Sequence, residues 1–218
     1  MRVNPPTPPA PTELAERLTQ GATALGQPLD ELAHTRLLHF VTLLAHWNRA
    51  YNLTAVREPA AMIPRHLLDS LAVRPYLFGE HVLDLGTGAG LPGLPLAILE
   101  PRRHFWLLDS QLKKLTFVRQ VILELGLENV ETVQARIATY RPGRNFSTIV
   151  SRAVAYAHLQ PVLQHGLLAR PGRVLLMKGR DLSEVTRMPT DADLTLSIEP
   201  LRIPFLDAER HLLVLRSD

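Results

Sequence analysis

Apolar residues follow two successive rhythms along this chain. Up to about residue 79 they recur at helical spacing, and from His81 onward short apolar runs alternate with helical stretches. The first helix is expected from Thr12 or Glu13 to about Leu25, with Leu14, Leu18 and Leu25 inward, Thr12 as its cap and Gly26 as its stop. Asp30 is placed to cap a second helix whose wide stripe of Leu37, Phe40, Val41, Leu44, Trp47 and Tyr51 must be buried. A third helical pattern holds Arg65, His66, Asp69 and Ser70, and Gly79 closes this part. Strands are then expected at 81–85, 104–109, 130–134, 146–150 and 172–178, with helices near 91–99, 112–125, 136–140 and 156–168. Two late apolar runs, 194–199 and 211–216, have no clear helix between them and are expected to pair antiparallel at a sheet edge. The alternation predicts an α/β fold, a doubly wound and mostly parallel sheet. Residues 12–79 form its N-terminal helical cap and 80–218 the sheet domain, the two making one compact unit. Residues 1–11, rich in proline, are expected to be a disordered tail.

The stretch His81 to Ala97 reads as strand, glycine loop and helix. Gly86, Gly88 and Gly90 stand at every second position after Leu85, where backbone free of Cβ lets a ligand approach closely. The free N–H groups of the helix that follows face whatever lies on that loop. Gly88-Ala-Gly90-Leu-Pro-Gly93 matches the dinucleotide fingerprint, but the strand ends at Leu85 and leaves Gly86-Thr87 as extra loop. Asp84 inside the strand also points away from a dinucleotide and toward S-adenosylmethionine. Asp109 ends the second strand, where it can accept both hydroxyls of a ribose, and either cofactor would use it.

Later strand ends carry further candidates. Gln134-Ala135-Arg136-Ile137-Ala138 offers a backbone N–H and apolar contacts to an adenine ring, or is an ordinary helix start. Arg152 and Lys178 stand at the carboxyl ends of the fourth and fifth strands, the rim where open α/β sheets bind ligands. Glu209-Arg210-His211 adds a third cation there. His66 and Asp69, three apart, are neighbours on one helix face, and spacing alone reads them as a surface pair.

Composition narrows the chemistry. A length of 218 residues with 46% hydrophobic content supports one sizeable core. The absence of cysteine removes disulfides, thiolate metal sites and the covalent route to carbon five of a pyrimidine. No apolar run approaches the roughly 20 residues of a membrane helix, and no leader pattern opens the chain, so a cytoplasmic protein is expected. The 21 arginines against three lysines suit phosphate and base edges, although codon composition would also produce such a bias. No Asn-Pro-Pro-Tyr or Asp-Pro-Pro-Tyr follows the fourth strand, so an exocyclic amine is a poor acceptor. A ring nitrogen with a free lone pair, such as N7 of guanine, needs only alignment and no base.

Seven blocks occur in one order: Trp-Asn-Arg-Ala-Tyr-Asn-Leu-Thr, Arg-His-Leu-Leu-Asp-Ser, Asp-Leu-Gly-Thr-Gly-Ala-Gly-Leu-Pro-Gly, Leu-Asp-Ser-Gln-Leu-Lys-Lys, Ser-Arg-Ala, Met-Lys-Gly and Glu-Arg-His-Leu. From about Leu32 to Leu215 the chain resembles the bacterial RsmG family, also called glucose-inhibited division protein B. The resemblance implies a class I, Rossmann-like methyltransferase that uses S-adenosylmethionine and leaves S-adenosylhomocysteine. Its acceptor would be N7 of a guanine in 16S ribosomal RNA, guanine 527 in the family's rRNA numbering. Gly86, Leu91, Ile137, Ala138 and Arg152 match cofactor-contacting positions, joined by Gly88, Gly90 and Asp109 from the loop reading. Asn52, His66, Lys178 and Arg210 match polar positions of the methyl-transfer pocket, with Asp69 beside them; Arg136, Lys178 and Arg210 would meet RNA. The family's Arg-x-Glu after the third strand is broken here by Ala138, which leaves backbone contact alone at that position. No metal and no membrane is implied, and the partner would be 16S rRNA, the small ribosomal subunit or its assembly intermediate, met by a monomer. An NAD-dependent oxidoreductase and a non-catalytic RNA-binding protein remain the rivals.

Overall fold

The computed structural model describes residues 11–152, 159–183, 185 and 194–217. The proline tail therefore lies outside the described residues up to residue 10, and Pro11 already opens the first helix, α1 (Pro11–Ala24). Thr12 falls inside its first turn instead of capping it; proline suits an opening position because its missing N–H would have no partner there. Helix α2 (Glu31–Tyr51) begins as its sequence predicts, with Asp30 Oδ1 accepting the Ala33 N–H at 2.7 Å. It ends at Asn52, whose φ of 49° is the left-handed turn that stops the helix. Its apolar stripe packs on α6 (Leu112–Leu125), with the rings of Phe40 and Trp47 6.3 and 5.8 Å from Phe117.

The third helical pattern departs from a plain α-helix. A short α3 (Pro59–Met62) runs into π-helical turns over Ile63–Leu68 and returns to α-helix as α4 (Asp69–Leu71). Wider turns of this kind re-aim side chains, and often occur at functional sites. Behind them α1 approaches closely at Gly21, where a Cβ would run into the Cδ1 of buried Leu68 and stand 2.9 Å from its Cδ2. Alanine in an exposed helix gains about 1 kcal/mol over glycine, whereas overpacking costs about 1–3 kcal/mol. Gly21→Ala should therefore lower the urea midpoint; a higher midpoint would refute the close approach.

The sheet carries seven strands in the order β3-β2-β1-β4-β5-β7-β6. Five run parallel: β1 (His81–Leu85), β2 (His104–Asp109), β3 (Val130–Gln134), β4 (Phe146–Arg152) and β5 (Leu168–Lys178). The two late apolar runs, β6 (Leu194–Leu201) and β7 (Arg210–Ser217), do pair antiparallel at that end. β7 is the reversed strand and lies between β5 and β6. This order differs from the 3-2-1-4-5-6 of a dinucleotide sheet. Alternation along the strands sends Val82, Phe105, Leu107 and Val150 to the core shared with α1, α2 and α6, and Leu83, Trp106, Leu108 and Ile149 to the other face.

Helices are shorter than expected after β1 and β3. Helix α5 (Gly93–Leu99) starts two residues past Leu91, and 136–140 makes only a 3-10 turn at Ile137–Thr139. Of the stretch expected to be helical over 156–168, the described part is α7 (Gln160–Gln164); residues 153–158 lie outside the described ones, and β5 already begins at Leu168. Among the described residues no helix is long and apolar enough to cross a membrane, and no three His, Asp or Glu side chains gather as a metal site.

Candidate functional site

The glycine loop is held from beneath by Asp84. Its side chain, fully buried at the end of β1, accepts the Thr87 hydroxyl at 2.7 Å and the Gly93 N–H at 2.9 Å, both on Oδ2. Oδ1 is buried with no hydrogen-bond partner. Burial outweighs those bonds and the nearby Arg152, pushing the carboxyl up to about 6. Gly86, Gly88 and Gly90 all take positive φ, at 71°, 59° and 79°. Above Gly88 there is open space, since a Cβ there would meet only the Gly86 carbonyl at 3.9 Å.

Asp109 fixes the other side of the loop. Its Oδ2 accepts the Gly88 N–H at 3.0 Å and its Oδ1 the Gln111 N–H at 2.9 Å, with Lys114 Nζ 3.8 Å away. Each oxygen keeps a lone pair for a further donor. A carboxylate at a strand end and an open glycine backbone, braced from beneath by Asp84, form a donor and acceptor set that fits a nucleoside-bearing cofactor. Leu91 and Ile137 are buried, while Ala138 is exposed and offers its carbonyl to Arg141 Nη1 at 3.2 Å.

Beside this loop, where β4 and β5 end, lies a cavity of about 410 Å³. β4 delivers Arg152 there; one residue earlier, Ser151 Oγ donates to the carbonyl of Leu85 at 2.7 Å and joins β4 to the start of the glycine loop. β5 delivers Met177 and Lys178, β7 delivers Arg210, and the π-helical segment with α4 delivers Arg65, His66 and Asp69. His66 and Asp69 are thus no surface pair: they are 5% and 3% exposed. The wider helical turn and the strand ends beyond it enclose both.

Asp69 stands between two guanidinium groups. Arg210 Nε donates to its Oδ1 at 3.1 Å, and Arg152 Nη1 lies 3.8 Å from its Oδ2. Burial pushes Asp69 up from the usual carboxylate range in spite of both arginines, and burial lowers Arg152 in spite of Asp69 and Asp84. The fold therefore holds this cluster at a cost to its charged forms, which marks a site more than a stabilising bridge. His66 is pushed down to about 4 by burial and by Arg152, so its ring is neutral. Its Nδ1 lies 2.8 Å from the Arg65 carbonyl and its Nε2 2.9 Å from Thr54 Oγ1.

Of the residues singled out from sequence, His66, Arg152, Lys178 and Arg210 meet at the cavity, with Asp69 among them. Asn52 and Arg136 do not line it and are exposed, Asn52 at the end of α2 and Arg136 before the 3-10 turn. The buried amide near Asn52 is Asn48; the Trp47 to Thr54 block contains both it and Thr54, but the resemblance gives neither a role of its own.

A family model described as rRNA small subunit methyltransferase G, GidB, matches residues 33–213. The Ribosomal RNA small subunit methyltransferase G of Shewanella amazonensis is 45% identical over 203 residues, covering 93% of this chain and 98% of its own. Its counterpart from Yersinia pestis is 44% identical over 209 residues, covering 94% and 100%. Among solved structures, an rRNA methylase from Streptococcus thermophilus superposes with a TM-score of 0.52 at 18% identity, covering 71% of this chain and 96% of its own. A SAM dependent methyltransferase from Aquifex aeolicus gives 0.53 at 16%, covering 69% and 90%. These two likenesses show the fold, a class I methyltransferase sheet, and the topology sets it apart from a dinucleotide oxidoreductase.

Proposed function

The chain belongs to the GidB family, the rRNA small subunit methyltransferases G, and on that premise we propose that it methylates N7 of a guanine in 16S rRNA, at the position the family numbers 527. The observation that carries the reading is the cavity itself: Arg65, Arg152, Lys178 and Arg210 surround one acid, Asp69, next to the glycine loop. Such an excess of cations suits an RNA phosphate and the O6 and N7 edge of guanine.

The glycine loop, Asp109, Ile137, the backbone at Ala138 and Arg152 would hold S-adenosylmethionine. When bound, it supplies a methyl group on a sulfonium, which passes to N7 as the N–C bond forms and the S–C bond breaks, leaving neutral S-adenosylhomocysteine and a positively charged guanine. No proton leaves the acceptor, so no general base is required. That agrees with His66, both of whose nitrogens are engaged. The residues act by alignment, which can supply about 7–11 kcal/mol. Lys178 and Arg210 hold the guanine or its phosphates, and the segment from Trp47 to Thr54, the end of α2 with the residues after it, closes over it. We place the enzyme in the cytoplasm, as a monomer acting on the small subunit or its assembly intermediate, with no metal.

Equilibrium binding separates the rivals: S-adenosylhomocysteine should bind and NAD should not. Lys178→Ala or Arg210→Ala should then lower RNA methylation about tenfold to a hundredfold, the loss of a hydrogen bond from a charged group. Cofactor affinity should hold. A large loss of cofactor affinity in both variants would sink their assignment to RNA. Strongly salt-dependent RNA binding without any transfer of label would favour the non-catalytic reading instead.

A further inference from the structure

The loop after α2 reaches the cavity at Val56, and Asn48 and Thr54 hold it there. Asn48, buried near the end of α2, accepts the Thr54 N–H on Oδ1 at 2.8 Å and donates from Nδ2 to the Val56 carbonyl at 3.2 Å. One amide thus closes the turn at both ends. Thr54 Oγ1 accepts the Val56 N–H at 3.1 Å, which leaves its own proton for His66 Nε2 at 2.9 Å. His66 Nδ1–H then donates to the Arg65 carbonyl at 2.8 Å. With that proton in place, the 3.3 Å approach of Arg152 Nη1 to Nδ1 is packing and not a hydrogen bond. Arg152 instead shares the Arg65 carbonyl at 3.4 Å. Donors and acceptors therefore match along the whole chain from Asn48 to Arg152, and Val56 is set as a wall of the cavity.

We infer that Thr54, pinned by Asn48, is a positioning residue for methyl transfer: it holds the His66 ring against which Arg152 is seated. The inference rests on the methyl-transfer reading above, and it links the loop on the acceptor side to the cation on the cofactor side. A ring free to turn would lose its grip on Arg65 and take away one wall of the seat that Asp69 and the Arg65 carbonyl complete around Arg152. A charged ring would repel Arg152 outright. The charged groups around the imidazole are Arg65, Arg152, Arg210, Lys178 and Asp69, four cations against one acid. The Thr54 hydroxyl, by donating to Nε2, favours the neutral ring that this company requires.

The test compares Thr54→Val with Thr54→Ser, following the His66 imidazole by NMR titration beside methyl transfer to small-subunit RNA and S-adenosylhomocysteine binding. Valine should raise the His66 midpoint by about one unit or more and lower kcat about tenfold, as for one lost hydrogen bond. Serine should restore both. If valine prevents folding, Thr54→Ala takes its place. A His66 midpoint that stays put in the valine or alanine variant overturns the inference, as does a wild-type kcat in that variant. Should the wild type move no methyl group to RNA, the functional reading fails, and the titration still decides whether Thr54 holds the ring.

Discussion

Asp69→Asn is expected to lower methyl transfer about a hundredfold. The amide oxygen can still accept from Arg210 Nε, but the charge that lies 3.1 and 3.8 Å from the two guanidinium groups is gone. Arg152 and Arg210 then repel across the cavity, and neither keeps its orientation. The hydrogen bond from Arg210 to an ionised acceptor, at about 1.5–3 kcal/mol, sets the scale of the loss. Stability should move far less than activity. The Asp69 carboxyl is raised by burial, so the folded state prefers it protonated. The sign follows: an acid raised on folding adds stability as the pH falls and withholds it at neutral pH. Single-turnover rates beside urea unfolding separate the two effects. A variant that loses stability in proportion to activity would show Asp69 to be a structural ion pair.

Asp84→Ala should abolish measurable cofactor binding, whereas Asp84→Asn should keep most of it. Alanine frees the Thr87 hydroxyl and the Gly93 N–H, both bound to one carboxylate oxygen. The glycine loop then loses its floor, with about 1.5–3 kcal/mol at stake per bond. Asparagine keeps an acceptor oxygen and removes a buried charge. Its effect on stability follows from the carboxyl being pushed up to about 6 from 3.8. The ionised group costs the fold up to ~3 kcal/mol at neutral pH, a cost relieved as the pH falls through 6 toward 3.8. Buried neutral His66, lowered to about 4, gives both proteins an opposite slope, so the contribution of Asp84 is read as a difference: Asp84→Asn should be more stable than wild type at pH 7, and that advantage should shrink as the pH falls over the window. Thermal unfolding measured between pH 4 and pH 8 checks both slopes. A stability difference between wild type and Asp84→Asn that stays constant from pH 7 to pH 4 would contradict the assignment.

The sheet was legible because short apolar or alternating runs recur between helical stretches, and β1 through β3 match their expected spans residue for residue. Boundaries failed where tertiary contacts set them. β5 begins at Leu168, four residues early, because Leu168 pairs with Phe146 before the register shifts at Thr148. Gln134 to Tyr140 contains helix formers, yet its chain turns only once before the next strand. The strand-end logic found Arg152 and Lys178, since any parallel sheet gathers its carboxyl ends on one rim. Helical spacing misread His66 and Asp69, because i to i+3 neighbours say nothing about what covers them. Asn48 is one more polar residue in a long helix by sequence, and its two hydrogen bonds to the loop after α2 show only in the fold. The ion pairs of Asp69 with Arg152 and Arg210 join residues far apart in sequence, and only the fold reveals them.

The central claim, a methyl group delivered to one guanine N7 of small-subunit RNA, is tested by incubating the protein with labelled S-adenosylmethionine and small subunits that lack the modification, then mapping the labelled base. An N7-methylated guanine carries a fixed positive charge that makes its glycosidic bond labile after borohydride reduction, so strand cleavage with aniline locates it. The account predicts one cleavage site, at a guanine of 16S rRNA, dependent on active protein and appearing about a hundredfold more slowly with the Asp69→Asn variant. Label on another base, on a ribosomal protein, or on no component of the subunit would contradict it.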